Sequence, residues 1–334
     1  MRNITHMLEL MDRPAFCAEN GRIIAANRSA LARQIGPEQN VEELLLTGLE
    51  EYRSFTEGFL SLKLLCCGER YDASVTVVDG RQIFVLEPDS ADSELRILAL
   101  AAQTLREPLG DVMSMMEELD ADPEKVAQIE RGLYRLLRIV GNMSPQSAFH
   151  PEMQDVGAVL YELWEKAEPV CRSKGVELQF RGPGKPVYSC VDTQLLTRAI
   201  HNLLSNSLKF AADGGTIRME LSSGPRFYRI TIRDQGHIPW PGSDPFTRYR
   251  REPGLCDGRS GLGLGLKLVQ LAASVHGGTV WLLSPPEGGL QVTLTLPLKQ
   301  DAAARSPRLR ISYSGERDPM LIELSDVLPA EFYK

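Results

Sequence analysis

The spacing of apolar residues between positions 95 and 143 constrains this chain more than any other feature. Leu95, Leu98, Ala102, Leu105, Leu109, Val112, Met116 and Leu119 follow one another in alternating steps of three and four. After residues 120–123 the same rhythm resumes with Val126, Ile129, Leu133, Leu136, Val140 and Met143. Such steps return to one stripe of an α-helix, so the segment predicts two helices with narrow apolar seams. A four-residue connection makes them an antiparallel hairpin. Two seams covered by nothing else in the chain would close against a second copy as a dimeric four-helix bundle. Packing on the neighbouring domain of the same chain is the alternative. Pro108 sits inside the first seam and should bend that helix, because it removes a backbone donor and crowds the preceding turn.

A hairpin of this length occupies a small part of 334 residues, and length alone predicts further domains with their own cores. The first 88 residues alternate apolar segments with turn signals: 15–18, a turn at 19–21, 23–25, then a helix over 27–34. Near the end of this stretch, segments 74–78 and 82–86 flank Asp79-Gly80, which favours a tight hairpin because Gly accepts positive φ without strain. Beyond Pro145 come a helix over 155–173, strands over 176–180 and 187–191, and a helix over 193–210. Strands over 216–222 and 227–233, a Gly- and Pro-rich loop, a helix over 264–275 and a hairpin over 278–298 follow. The reading is multidomain α+β, with a small α/β domain at 1–90, a helical hairpin at 91–145, an α/β sandwich at 146–300 and an extension at 301–334. In that extension, 309–313 and 320–324 alternate like two strands.

Charge and composition exclude several classes. The formal charge is 37 − 44 = −7, which does not suit a nucleic-acid partner. No apolar run approaches the roughly 18 residues of a membrane span, and residues 1–12 lack the basic and apolar regions of a signal peptide. A cytoplasmic protein is expected. Cys17, Cys66, Cys67, Cys171, Cys190 and Cys256 form no C-x-x-C pair and have no histidine cluster beside them, so reduced and mostly buried thiols are expected rather than zinc or disulfides.

Three segments carry chemistry. Ser260-Gly261-Leu262-Gly263-Leu264-Gly265-Leu266 precedes an apolar helix, so exposed backbone N–H groups and a helix N-terminus would converge as a phosphate cradle. Alternating Gly and Leu also allows a helix to pack closely on a sheet, and the motif alone does not choose. Asn202, Asn206 and Lys209 fall at i, i+4 and i+7, on the helix face opposite Leu203, Leu204 and Leu208. Two amides and a cation on one stripe suit a metal-bound phosphate. Asp234, at a strand end before Gln235-Gly236, offers a carboxylate that can accept from an exocyclic amine.

In this order, the segments resemble the asparagine box and the two glycine boxes of the ATP-binding domain of sensor histidine kinases and their gyrase and chaperone relatives. Leu105-Arg106-Glu107-Pro108-Leu109 is similar to the L-R-x-P-L of histidine kinase dimerisation helices, and Phe246-Thr247-Arg248-Tyr249-Arg250 to their F-x-x-F-x-R box. The strand and helix order of residues 1–90 resembles a PAS sensor domain. The resemblance implies ATP and Mg²⁺ as cofactors, with Asn206 as metal ligand, Asn202 supporting the same face and Lys209 on phosphate. It further implies that Asp234 and Gly236 face adenine, that Gly261, Gly263 and Gly265 wrap the phosphates, and that 246–260 form a lid. A homodimer and a response regulator or partner kinase are the implied partners.

The departures from the family are chemical. Gln103 and Thr104 stand where the family has its phosphoacceptor histidine and an acidic residue. A carboxamide lacks the imidazole's nucleophilic nitrogen. Glu107 stands where relatives use Thr or Asn in dephosphorylation. Of His6, His150, His201, His237 and His276, none lies on the hairpin, and His201 reads as a packing residue. Asp234-Gln235-Gly236-His237-Ile238 is one residue and one glycine short of the usual D-x-G-x-G-I. Asn202 occupies the position of the gyrase-type glutamate base, and an amide cannot deprotonate water. Three readings follow: a histidine kinase by architecture, a non-phosphorylating pseudokinase regulator, and a gyrase- or chaperone-type ATPase, which Asn202 disfavours.

Overall fold

The computed structural model describes residues 2–88, 102, 104–105, 108–116, 122–143, 149–211, 214–236, 245–246, 265–299 and 317–333. Five N-terminal strands, β1 (Ala15–Glu19), β2 (Arg22–Ala26), β3 (Phe59–Cys66), β4 (Glu69–Val78) and β5 (Arg81–Pro88), lie in the order β2-β1-β5-β4-β3. All three hairpin turns have consecutive left-handed residues: Asn20 and Gly21 with φ of 52° and 76°, Cys67 and Gly68 with 50° and 83°, and Asp79 and Gly80 with 51° and 74°. That pairing matches the right-handed twist of the flanking strands. Asn27 caps the helix Arg28–Leu31 by accepting from the Ala30 amide. Its amide nitrogen also donates to the carbonyls of Leu8, Met11 and Arg13, which ties the helix Arg2–Glu9 to the sheet.

The second unit contains β6 (Glu152–Asp155), β7 (Glu177–Arg181), β8 (Tyr188–Val191), β9 (Thr216–Ser223), β10 (Phe227–Arg233), β11 (Thr279–Leu283) and β12 (Gln291–Pro297). The helices Val156–Ser173, Thr193–Phe210 and Gly265–His276 cover its sheet, burying Leu160, Ile200, Leu204, Val269 and their neighbours against Ile217, Ile230 and Leu294. On β9, Ile217, Met219 and Leu221 are buried while the residues between them face out, the alternation of a sheet covered on one side.

The two sheets are continuous. β3 pairs antiparallel with β11 through Leu60 opposite Trp281, giving ten strands in the order β2-β1-β5-β4-β3-β11-β12-β10-β9-β7. Around this seam Gln270 donates to Ser61 at 2.6 Å, Lys267 pairs with Glu87 at 2.8 Å, and the Trp281 indole donates to the Glu57 carbonyl at 3.0 Å. Sequence patterning does not show the seam, because an edge strand and a strand paired across domains have the same period.

Of the helical hairpin, residues 108–116 and Pro123–Met143 are described and helical. The seam is divided. Leu133, Leu137 and Val140 are buried, the first two in a cluster with Met113 and Ile322, whereas Val112, Ile129 and Leu136 are 45%, 48% and 46% exposed. Residues 95–101, 103 and 119 lie outside the described residues.

The extension corrects the expectation of strands. Residues 309–313 lie outside the described residues, and Pro319–Glu323 is a helical turn followed by a 3-10 turn at Ala330–Tyr333. Asp318 accepts from the Met320 amide and Pro319 occupies the first turn, a cap that overrides the alternating apolar pattern. Buried Cys17, Cys66, Cys171 and Cys190 and exposed Cys67 are free thiols, and Cys256 lies outside the described residues.

Gly58 makes the interdomain pairing testable. It has φ of +86°, and a Cβ there would stand 2.1 Å from the Leu282 carbonyl oxygen; Gly68, at +83°, has open space. Gly68→Ala should cost about 1–2 kcal/mol from backbone strain alone. Gly58→Ala should cost that plus about 1–3 kcal/mol for the clash, read by denaturant unfolding. Equal losses would mean that β3 and β11 do not pair.

Candidate nucleotide site

The helix Thr193–Phe210 begins where Asp192 accepts from the Leu195 amide at 3.0 Å. The Asp192 amide in turn donates to His276 Nε2 at 2.9 Å, while His276 Nδ1 lies 2.6 Å from the Ala272 carbonyl. That geometry fixes a neutral ring with the proton on Nδ1, and burial holds its pKa below the usual imidazole range. The start of the asparagine helix and the end of the helix Gly265–His276 are thereby joined.

The other end of the glycine helix meets the asparagines. A Cβ on Gly265 would lie 3.0 Å from Asn202 Oδ1 and 3.8 Å from Asn206 Nδ2. A side chain there would press on the Asn202 amide, so glycine lets this end of the helix lie close against it. Asn202 is fully buried; its amide nitrogen donates to the Arg198 carbonyl and to Glu323 Oε2, and its oxygen accepts from Arg138 Nη2 at 3.2 Å. Asn206 is half-buried and makes no side-chain hydrogen bond to another described residue.

Asp234 sits at the end of β10, 5% exposed. Its Oδ1 accepts from the amides of Gly236 and Leu290 at 3.0 and 3.1 Å, and its Oδ2 from the Ser207 hydroxyl at 2.7 Å. Gly236 is held because a Cβ would stand 2.2 Å from the Phe210 carbonyl oxygen, and Gly289 because one would stand 2.0 Å from the Asp234 carbonyl oxygen. The carboxylate is thus fixed in position and direction by the asparagine helix and the β11–β12 loop. Gly261, Gly263 and Gln103, and the lid apart from Phe246, lie outside the described residues.

A charged cluster completes the face. Lys209 Nζ lies 2.6 Å from Asp326 Oδ2, which Arg138 Nη1 also reaches at 2.5 Å. Glu323 accepts from Arg198 Nε at 3.2 Å and from Asn202. Arg131 and Arg135 donate to the carbonyls of Ser325 and Asp326. Burial raises the Asp326 carboxyl, but Arg138 and Lys209 outweigh it and hold the pKa below the usual range; burial and Arg138 lower the Lys209 ammonium. Burial pushes His201 down to about 4, and both of its ring nitrogens are buried without a hydrogen-bond partner, so it is neutral and sealed from solvent.

The structure therefore brings together Asn202, Asn206 and Gly265, with Lys209, Asp234 and Gly236 at the far end of the same helix. The motifs do not foreshadow Arg138, Arg198, Glu323 or Asp326, which arrive from the hairpin, the helix interior and the extension. Ser207 lies within the asparagine motif, and its placement one residue past Asn206 is the available signal for its bond to Asp234. Amide oxygens, a helix N-terminus and cations on one face can hold a polyanion with a metal ion. Among the described residues, no cluster of three or more His, Cys, Asp or Glu could hold a metal alone.

Residues 191–300 match the model of the histidine kinase-, DNA gyrase B- and HSP90-like ATPase family. Adaptive-response sensory kinase SasA of Synechococcus sp. (strain CC9902) is 26% identical over 249 residues, 69% of this chain and 63% of that protein. Sensor histidine kinase WalK of Bacillus subtilis (strain 168) is 26% identical over 326 residues, 84% of this chain and 53% of that protein. The match to hybrid signal transduction histidine kinase D of Dictyostelium discoideum covers 69% of this chain and 18% of that protein, so the chain spans less than two thirds of these relatives. In fold it is similar to full-length ShkA, solved in complex with AMPPNP, at a TM-score of 0.50 and 21% identity over 62% of this chain and 47% of that one. Residues 191–300 thus carry a domain of the histidine kinase-, DNA gyrase B- and HSP90-like ATPase family, and the chain is similar over most of its length to sensor histidine kinases.

Proposed function

We propose that the chain is a signal transduction protein of the histidine kinase type that binds Mg–ATP or Mg–ADP on the asparagine helix. The approach of Gly265 to Asn202 and Asn206 carries this reading, because it sets the start of the glycine helix beside both amides of the stripe. The residues fit the cofactor. Asn206 has a free amide oxygen for Mg²⁺, Asn202 backs it, Lys209 faces the phosphates, and Asp234 keeps acceptor capacity for the adenine amine beside Gly236. Bound Mg²⁺ would neutralise phosphate charge and make the terminal phosphoryl group electrophilic. Gly261 and Gly263 complete the phosphate cradle in this reading.

The N-terminal sheet order β2-β1-β5-β4-β3, with short helices between β2 and β3, supports a PAS-like sensor at 1–90. The hairpin at 91–145 joins two copies, the domain at 146–300 holds nucleotide, and a response regulator or partner kinase receives the output. The exposed stripe of Val112, Met115, Ile129 and Leu136 supports the homodimer, because isolated apolar stripes of this size are rarely left in water.

The second reading, a pseudokinase, is favoured by Gln103. Phosphoryl transfer needs a nucleophilic nitrogen at that position, and a carboxamide has none. The sealed His201 is no substitute acceptor, since it is fully buried. A gyrase-like hydrolase is disfavoured on the same grounds as before: Asn202 is an amide, and the neighbouring Glu323 carboxylate is engaged by Arg198 and Asn202 rather than free to accept a proton from water.

Calorimetry with the full chain should detect Mg–ADP binding at millimolar concentration or tighter, weakened at least tenfold by Asn206→Ala and by Asp234→Ala. Absence of binding would remove the nucleotide reading. Incubation with labelled ATP should leave no acid-labile, base-stable phosphate on residues 91–145, and Gln103→His with Thr104→Glu should introduce it. Phosphohistidine in the unmodified chain would restore the kinase reading. Light scattering should give a dimer at micromolar concentration and a monomer for Val112→Arg with Leu136→Arg; a monomeric parent would contradict the bundle.

A further inference from the structure

The extension at 317–333 places two carboxylates on Asn202 and Lys209, two residues of the polar stripe that also carries Asn206. Glu323, with no exposure, accepts from Arg198 Nε at 3.2 Å and from Asn202 Nδ2 at 2.9 Å, and stands 3.4 Å from Arg138 Nε. Asp326, three residues on, reaches Arg138 and Lys209 through one oxygen at 2.5 and 2.6 Å. Guanidinium and ammonium donors around oxyanions are the same arrangement that binds phosphoryl oxygens. Arg138, Arg198 and Lys209 pair with the two carboxylates, while Arg131 and Arg135 donate to the carbonyls of Ser325 and Asp326 beside them.

The seat is built rather than incidental. Met320, Ile322, Leu324, Val327, Leu328 and Tyr333 are buried, Asp318 caps the turn, and Tyr333 donates to the Leu321 carbonyl at 2.8 Å and lies against Tyr134. The apolar residues anchor the segment on the hairpin helix Pro123–Met143 and on the asparagine helix. The anchor fixes Glu323 and Asp326 over the polar stripe.

We propose that residues 318–333 are an intramolecular competitor of the nucleotide, in which the carboxylates of Glu323 and Asp326 stand in for phosphate oxygens on Asn202, Lys209 and Arg138. The inference rests on the nucleotide reading of that face and adds its regulation. Because the competitor is covalently attached, its local concentration is high and independent of dilution, so Mg–nucleotide must displace it or bind weakly. Displacement would also release Arg138 and Arg198, which tie the hairpin to the asparagine helix through Asn202 and Asn142, so nucleotide occupancy and hairpin freedom are coupled.

The test is Mg–ADP affinity by calorimetry on the full chain, comparing the parent with Asp326→Asn, Glu323→Gln, their combination, and Glu331→Gln as an exposed control on the same segment. Asp326→Asn, at the half-open edge of the cluster, is the variant that tolerates loss of charge most readily, and it keeps the test valid should Glu323→Gln fail to fold. Tenfold or greater tightening in Asp326→Asn, with Glu331→Gln unchanged, is the expected result. Parent and Asp326→Asn binding with equal affinity would overturn the competitor and leave the nucleotide site standing. No binding in any variant would overturn the nucleotide reading, and with it the competition.

Discussion

The buried carboxylate of Glu323 is the interaction on which the arrangement of the second half of the chain depends. A carboxylate with no exposure is tolerable only when its charge is matched and its lone pairs are filled. Here Arg138 on the hairpin and Arg198 on the asparagine helix match the charge, and the Asn202 amide fills a lone pair. Removing one partner of such a pair typically costs about 3–5 kcal/mol, so the three segments hold their mutual positions as a unit. The polar face proposed to bind nucleotide is also the joint between extension, hairpin and domain.

A second constraint is the shared sheet. Backbone pairing of β3 with β11 makes the N-terminal unit an edge extension of the nucleotide domain, and Lys267, Gln270 and Trp281 reinforce it from the glycine helix and β11. The glycine helix contacts both sides: its first residue touches Asn202 and Asn206, and its side chains reach Ser61 and Glu87. A shift of β3 or β5 would therefore be felt at the start of the glycine helix without passage through the hairpin. Packed, hydrogen-bonded elements of this kind are a physical route for coupling between sites.

Local structure was largely legible in the sequence because local chemistry determines it. The Asp79-Gly80 turn, the Asp155 and Asp192 caps and the helix Thr193–Phe210 follow from residues within a few positions of one another. The stripe of Asn202, Asn206 and Lys209 was visible for the same reason, since a helix face is set by spacing alone. What could not be read was every contact that depends on the fold of distant segments: the β3–β11 seam, the division of the hairpin seam into buried Leu133 and exposed Leu136, and the carboxylates from the extension. The alternating 320–324 pattern misled because two residues outside it, Asp318 and Pro319, decide that the chain turns.

Hydrogen exchange of the full chain with and without Mg–ADP tests the central claim, that cofactor and extension contend for one face. The account predicts slower exchange in 198–210 and 265–276 on addition of nucleotide, with faster exchange in 318–333. Protection of the asparagine and glycine helices with 318–333 unchanged, or no change in any of the three, would contradict it.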